Sequence, residues 1–284
     1  MQRPSKDQIL DYYGQALKRC LDAFSQLDEK EWAKKASEHW TAEEHLGHIV
    51  ATLERETLPL TRQALAGQPA QIPGFEKRED MLDFYRTSLE AVRDAQVPEL
   101  LQRLQSAAGE HIQMLEKLTE ADLDRPAMSP EWDRPGTVRD LFFAGYLFLP
   151  GQYMEIRHVN KRKLPHWIEA STPEQVHYHL DRIFHYMPLI YRSDRGADMQ
   201  ATYQFTMEGD GGGQWSIRIA DGRAESADGP AEGFDSELRT QPNHWMDLSM
   251  GDLNPMWAIT TRKVHLGGNP ALAMKLSSLF SVAE

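Results

Sequence analysis

The stretch ATYQFTMEGDGGGQWSIRIADGRAES, residues 201–226, separates two kinds of structure in this chain. From Ala201 to Met207 apolar Tyr203, Phe205 and Met207 alternate with Thr202, Gln204 and Thr206, the two-residue period of a half-buried strand. A loose glycine-rich turn, GDGGG, follows; Trp215 to Ile219 alternates again, and Asp221-Gly222 is a strong hairpin signal before Arg223 to Ser226. The pattern is an antiparallel meander. Downstream we expect a strand at Phe234 to Thr240, helices at Pro242 to Ser249 and about Pro255 to Thr261, a short strand from Lys263 to Leu266 and a terminal helix from Pro270. Upstream, Thr172-Pro173-Glu174-Gln175 combines an N-cap, a first-turn proline and a capping box. It opens a helix with Val176, Leu180, Ile183, Phe184, Met187 and Ile190 on one side. Residues 169–284 therefore read as an α+β domain with an antiparallel sheet.

Before Trp167 the texture is helical. Ser5 and Gln8 form a capping box ahead of a stripe made by Leu10, Tyr13, Leu17, Cys20, Leu21, Phe24 and Leu27. Thr41 and Glu44 start a second helix through Leu46, Ile49, Val50 and Leu53, with a kink expected at Pro59. The region from Lys77 to Leu118 divides at Val97-Pro98 into two consecutive helices. A further helix starts at Thr137, with Asp140 as capping partner, and runs towards Lys163 past a kink at Pro150-Gly151. Its apolar residues nearly encircle the axis, as in a helix buried on several sides. The segments beginning at Leu27 and Leu118 share an acidic turn, a tryptophan and a capped helix start, which implies two helix pairs. Residues 1–168 thus read as a four-helix bundle.

A length of 284 residues suits two domains of ordinary size. The net charge of −12 argues against nucleic acid or an anionic membrane as a partner of the whole surface. The run Lys161-Arg162-Lys163 reads as a basic helix end. Cys20 is the sole cysteine and sits in an apolar stripe, so it reads as core in a protein without disulfides. No secretory leader or membrane span is evident, and a cytoplasmic, soluble protein is expected.

Nucleophilic hydrolase chemistry and phosphate loops find no support. GDGGG lies between two strands, and neither Ser216 nor Ser249 has a base close in sequence. On a helical wheel His48 lies off the stripe of Leu46, Ile49, Val50 and Leu53 and reads as a rim histidine. His45, nearer that stripe, reads as partly buried with a hydrogen-bond partner. His39 and His111 receive no role. His177, His179 and His185, with Tyr178 and Tyr186, read as a solvated helix face.

The segment Trp40-Thr-Ala-Glu-Glu-His-Leu-Gly-His48-Ile resembles the second-helix signature of the DinB-like superfamily, which includes mycothiol-dependent maleylpyruvate isomerases. The segments Leu118 to Pro126 and Gly136-Thr-Val-Arg-Asp140 resemble its connecting loop and fourth-helix start. The resemblance implies a divalent-metal site in which a histidine at the place of His48 joins two His or Glu ligands from the fourth helix, the metal binding and activating a thiol cofactor or a water; zinc or nickel is the candidate metal and a low-molecular-weight thiol the candidate cofactor. The fourth helix here offers Gly145, Leu149, Gln152, Tyr153 and Arg157 at those positions, none a histidine or carboxylate. Glu155 and His158 share a face about a turn away. The metal set to test is therefore His48, Gln152, Glu155 and His158, and the expectation is a degenerate site.

The closing stretch, Leu253-Asn-Pro-Met-Trp-Ala-Ile-Thr-Thr-Arg-Lys-Val-His-Leu-Gly-Gly-Asn-Pro-Ala-Leu-Ala-Met-Lys-Leu276, resembles the end of sterol-carrier-protein type-2 domains. Such domains hold an apolar tunnel for a lipid-like molecule. Trp215, Met246, Met250, Met256 and Met274 are the candidate lining, the methionines adding adaptable, polarizable surface. Core packing is the competing reading of the same residues. Three functions stay open: a binding protein for a hydrophobic small molecule or lipid, a metal-dependent thiol-using isomerase or S-transferase, and a scaffold whose bundle forms a homodimer.

Overall fold

The computed structural model describes residues 3–160 and 163–280. It divides into two compact units, one ending at Pro165 and one beginning at His166.

The first unit is helical. Ser5 caps α1 (Lys6–Ser25) with the reciprocal Gln8 bond expected of a capping box, and α1 buries Ile9, Tyr13, Leu17, Cys20 and Phe24. Thr41 and Glu44 cap α2 (Ala42–Thr52) in the same way. A single π turn, Leu53–Thr57, links α2 to α3 (Leu58–Leu65), and the Leu58 N–H reaches back five residues to the Leu53 carbonyl. In place of a simple kink, the wider turn accommodates Pro59, which lacks an N–H. Then come α4 (Met81–Glu90) and α5 (Val97–Lys117), with Pro98 in the first turn of α5. Thr137 and Asp140 cap α6 (Val138–Val159), which is helical through Pro150 and ends short of Lys163. Lys161 and Arg162 lie outside the described residues. The helix α1 packs on α5 and α6, while α2 packs on α4, α5 and α6.

In the second unit α7 (Pro173–Tyr186) lies on a five-stranded sheet. Its strands are β1 (Ala201–Met207), β2 (Gly213–Ala220), β3 (Arg223–Asp228), β4 (Ser236–Thr240) and β5 (Val264–Gly268), in the order β3-β2-β1-β4-β5. The β2–β3 turn has left-handed φ at both Asp221 (51°) and Gly222 (72°), matching the strand twist. The sheet is mixed rather than wholly antiparallel, because β1 and β4 run parallel with Tyr203 opposite Ser236. Segment 229–235 makes that possible by crossing the sheet. Ala231 donates its N–H to the side-chain oxygen of Gln204 at 2.7 Å, and Asp235 exchanges hydrogen bonds with the Thr202 backbone. Gln204 is consequently buried on what alternation alone marks as the polar face.

The core combines Val176, Leu180 and Phe184 of α7, and Met187 at its C-cap, with Tyr203, Phe205, Trp215, Ile217 and Ile219 of the sheet. Beyond that stripe, Tyr178, His179 and Tyr186 are also buried, which corrects the solvated-face reading, whereas His177 is exposed. Helices α8 (Pro242–Ser249) and α9 (Pro255–Thr260) follow β4. The expected terminal helix is two separate turns, Pro270–Ala273 and Leu276–Leu279. Among the described residues no helix is long and apolar enough to cross a membrane.

Candidate functional site

The polar interior of the helical unit centres on α2. His45 and His48 are both buried, so His48 is not the rim residue that its wheel position suggested. The reason is a second covered face: α4 packs beside α2, and Gly47 admits Leu89 and Val92 so closely that a Cβ there would meet them at 3.1–3.2 Å. The His48 ring sits among Trp40 (4.4 Å between centroids), Tyr85 (4.9 Å, edge to face) and Phe148 (5.2 Å). Its Nδ1 has no hydrogen-bond partner, and burial lowers its pKa to about 3, so the imidazole is neutral near neutral pH. His45 is fully engaged instead. Gln152 Oε1 lies 2.7 Å from its Nδ1 and Ser37 Oγ 3.0 Å from its Nε2, which makes Nδ1 the protonated nitrogen.

The expected metal set does not converge. Gln152 is spent on His45, and His158 Nδ1 donates to the Ala36 carbonyl at 2.8 Å with Glu155 at 3.4 Å. Across from His48, α6 presents the Phe148 ring rather than a ligand. No group of three or more His, Cys, Asp or Glu side chains among the described residues could hold a metal ion. One histidine ring packed among Trp40, Tyr85 and Phe148 is not the three-ligand set that a divalent cation takes, so no metal chemistry is assigned to these residues.

Sequence reasoning missed the carboxylate pair beside His48. His48, Thr52 and Glu56 follow at four-residue spacing, and all three are buried, with the Thr52 hydroxyl also unpartnered. Glu56 lies in the π turn. The Tyr85 hydroxyl stands 2.8 Å from Glu131 Oε1 and 3.2 Å from Glu56 Oε2. A phenol has one proton to donate, so two charged carboxylates cannot both be satisfied by it. Burial, then the nearby Glu131 charge, raises the Glu56 pKa well above its ordinary 4.5. Burial also raises that of Glu131, opposed by the Tyr85 hydrogen bond and the charge of Arg78. Both carboxylates lie on the one Tyr85 hydroxyl, and the charge of Glu131 raises the proton affinity of Glu56. The set can hold and pass a single shared proton. The four-residue spacing from His48 was the available signal, but the π turn that delivers Glu56 was not.

A second buried network is closed. His111, given no role from sequence, lies between Tyr13 Oη and Thr61 Oγ, each at 3.0 Å, and stacks on Phe142 at 4.3 Å. Thr61 donates to the Thr57 carbonyl, so His111 donates from Nε2 to Thr61 and accepts from Tyr13 at Nδ1.

In the second unit the candidate lining residues separate. Trp215 is core: it stacks on Phe184 at 4.9 Å and donates its indole N–H to Asp181 at 3.0 Å. Met246 is buried and Met250 half-buried, whereas Met256 and Met274 are 60% and 53% exposed. The recesses differ in character. One of about 410 Å³ is lined by polar Arg218, Asp221, Arg223 and Glu225. Another, about 200 Å³ in the helical unit, is lined by Leu60, Ala64, Pro69, Ala127 and Pro135 among others.

Residues 4–146, half of the chain, match the family model of the DinB superfamily. The chain belongs to the DinB superfamily. Its residues 191–281 match the SCP-2 sterol transfer family. The mycothiol-dependent maleylpyruvate isomerase is similar over both units. Its structure covers 86% of this chain and 88% of its own, with a TM-score of 0.55 and 9% identity. A mutant of that isomerase reaches a TM-score of 0.58 over 93% of each chain, again at 9% identity. These likenesses are of fold. Mouse (Mus musculus) hydroxysteroid dehydrogenase-like protein 2 is 30% identical over 83 residues, 29% of this chain and 17% of that protein. The chain thus spans about a sixth of the length of that relative.

Proposed function

We propose that this DinB-superfamily chain is a binding protein for a hydrophobic small molecule or lipid, held by its SCP-2-like unit. One observation carries the reading. Of the five large apolar side chains that are exposed among the described residues, Leu82, Phe234, Met256, Trp257 and Met274, the last four lie within the segment that matches the SCP-2 sterol transfer family. Apolar surface concentrated in this way marks a place where apolar matter is met. The helical unit serves as a scaffold in this reading. The side chains around His48 do not form a donor set for a metal, so metal-dependent thiol chemistry is not assigned to it. A cytoplasmic setting belongs to the same proposal, supported by a sole cysteine, Cys20, that is free and buried and whose thiol burial pushes up to about 12.

The test uses the full chain. Organic extraction of the purified protein is followed by titration of the stripped protein with a fluorescent fatty acid and with dehydroergosterol. Saturable binding of either probe, competed by the extracted compound, is expected. An empty extract together with strictly non-saturable partitioning of both probes would sink the reading.

A further inference from the structure

The first turn of α9 carries two large apolar side chains on its outside. Met256 and Trp257 are each 60% exposed, while the inner side of the helix is spent on Ala258, packed with Leu253 and Val264. The chain leaving α9 carries Arg262 and Lys263, both exposed. It is tied back to the helix, since the Arg262 N–H donates to the Ile259 carbonyl and the Lys263 N–H to that of Ala258. Arg262 holds a left-handed φ of 59°, a helix-ending position that glycine occupies without strain. Here the site carries a cation. The combination recurs at exposed Met274 and Lys275.

Along the sequence, charge is segregated around these residues. No Asp or Glu lies between Asp252 and Glu284, in a chain with 43 acidic residues against 31 basic ones. The net charge of −12 therefore does not describe this segment, whose side-chain charges are all positive. Exposed charges are screened over about 8 Å at physiological salt, so an approaching surface responds to the local sign rather than to the total. An apolar aromatic flanked by cations suits the headgroup layer of a bilayer, where the ring meets the acyl boundary and the cations meet lipid phosphates and carboxylates.

We propose that Met256 and Trp257 seat this protein on a lipid bilayer containing anionic lipid, with Arg262 and Lys263 contacting the headgroups. This inference goes beyond ligand binding and stands without it.

Flotation of the full chain with vesicles of phosphatidylcholine, alone or mixed with phosphatidylserine, tests the proposal. Quenching of tryptophan emission by brominated lipid reports depth. Binding is expected to the mixed vesicles, to weaken with added salt, and to fall about fivefold for Arg262→Gln and about 25-fold for Arg262→Gln with Lys263→Gln. Trp257→Phe should keep binding and lose most of the quenching, while Trp257→Ala should lose binding with an unchanged far-UV spectrum. Absence of flotation, equal quenching in the Trp257→Phe protein, or affinity indifferent to salt and to the two substitutions would each overturn the proposal. Dehydroergosterol titration of the same variants in solution separates the two readings. Vesicle binding lost with probe binding intact concerns docking alone, and the reverse concerns ligand binding alone.

Discussion

Replacing Glu56 by glutamine tests the shared-proton arrangement directly. Glu56 is 6% exposed, lies 3.2 Å from the Tyr85 hydroxyl, and keeps its proton well above 4.5. In the unfolded chain it ionises near its ordinary value. The folded state therefore holds a proton that the unfolded state has released, and folding becomes less favourable as pH rises. The penalty is absent below about pH 4.5, grows by about 1.4 kcal/mol per pH unit, and levels off above the folded pKa. Glutamine has nearly the same shape, and its amide oxygen can accept from the Tyr85 hydroxyl while its N–H₂ can donate. It carries no ionisation penalty. The Glu56→Gln protein should match the parent near pH 4 and exceed it at pH 7, the gap widening over the intervening range. Urea unfolding followed by helical circular dichroism, repeated from about pH 4 to about pH 9, measures the difference. A gap that does not vary with pH, or a glutamine variant weaker than the parent at pH 7, would refute the assignment of the proton to Glu56.

Other perturbations follow from the same geometry. Gly145→Ala would place a Cβ 3.0 Å from Tyr13 Oη and 3.3 Å from the His111 ring, so thermal unfolding should show a loss of about 1–3 kcal/mol. Tyr13→Phe leaves the buried His111 Nδ1 without its donor and should cost about 1–3 kcal/mol by urea titration. His48, depressed to about 3 and neutral when folded, should show no imidazole titration by NMR between about pH 5 and pH 8. Its contribution has the opposite sign to that of Glu56, with stability falling as pH drops below 6.5 because the unfolded chain then binds the proton. Trp215→Ala should lower the stability of the second unit by about 3–5 kcal/mol, as a core residue does, whereas a lining residue would mainly change probe affinity.

What the sequence by itself determined was local. The capping boxes at Ser5, Thr41, Thr137 and Thr172 are closed by side chains three residues away, and the structure places helix starts at each. Asp221-Gly222 makes its hairpin for the same reason, since the backbone preference belongs to the two residues themselves. Both family resemblances also rested on short contiguous segments. Tertiary structure decided everything that depends on a partner far along the chain. A helical period reveals one buried stripe, so His48 and His179 read as lying off it until other elements cover a second face. Alternation marks the two faces of β1 but not its neighbours. The crossing of segment 229–235 made β4 its parallel partner and buried Gln204 beneath that crossing. Phe148 came to face His48, and Gln152 to bond His45, through the packing of α6 on α2, a relation spanning about a hundred residues. Local bonds are encoded where they form, whereas the covering of a face is a property of the whole packed unit.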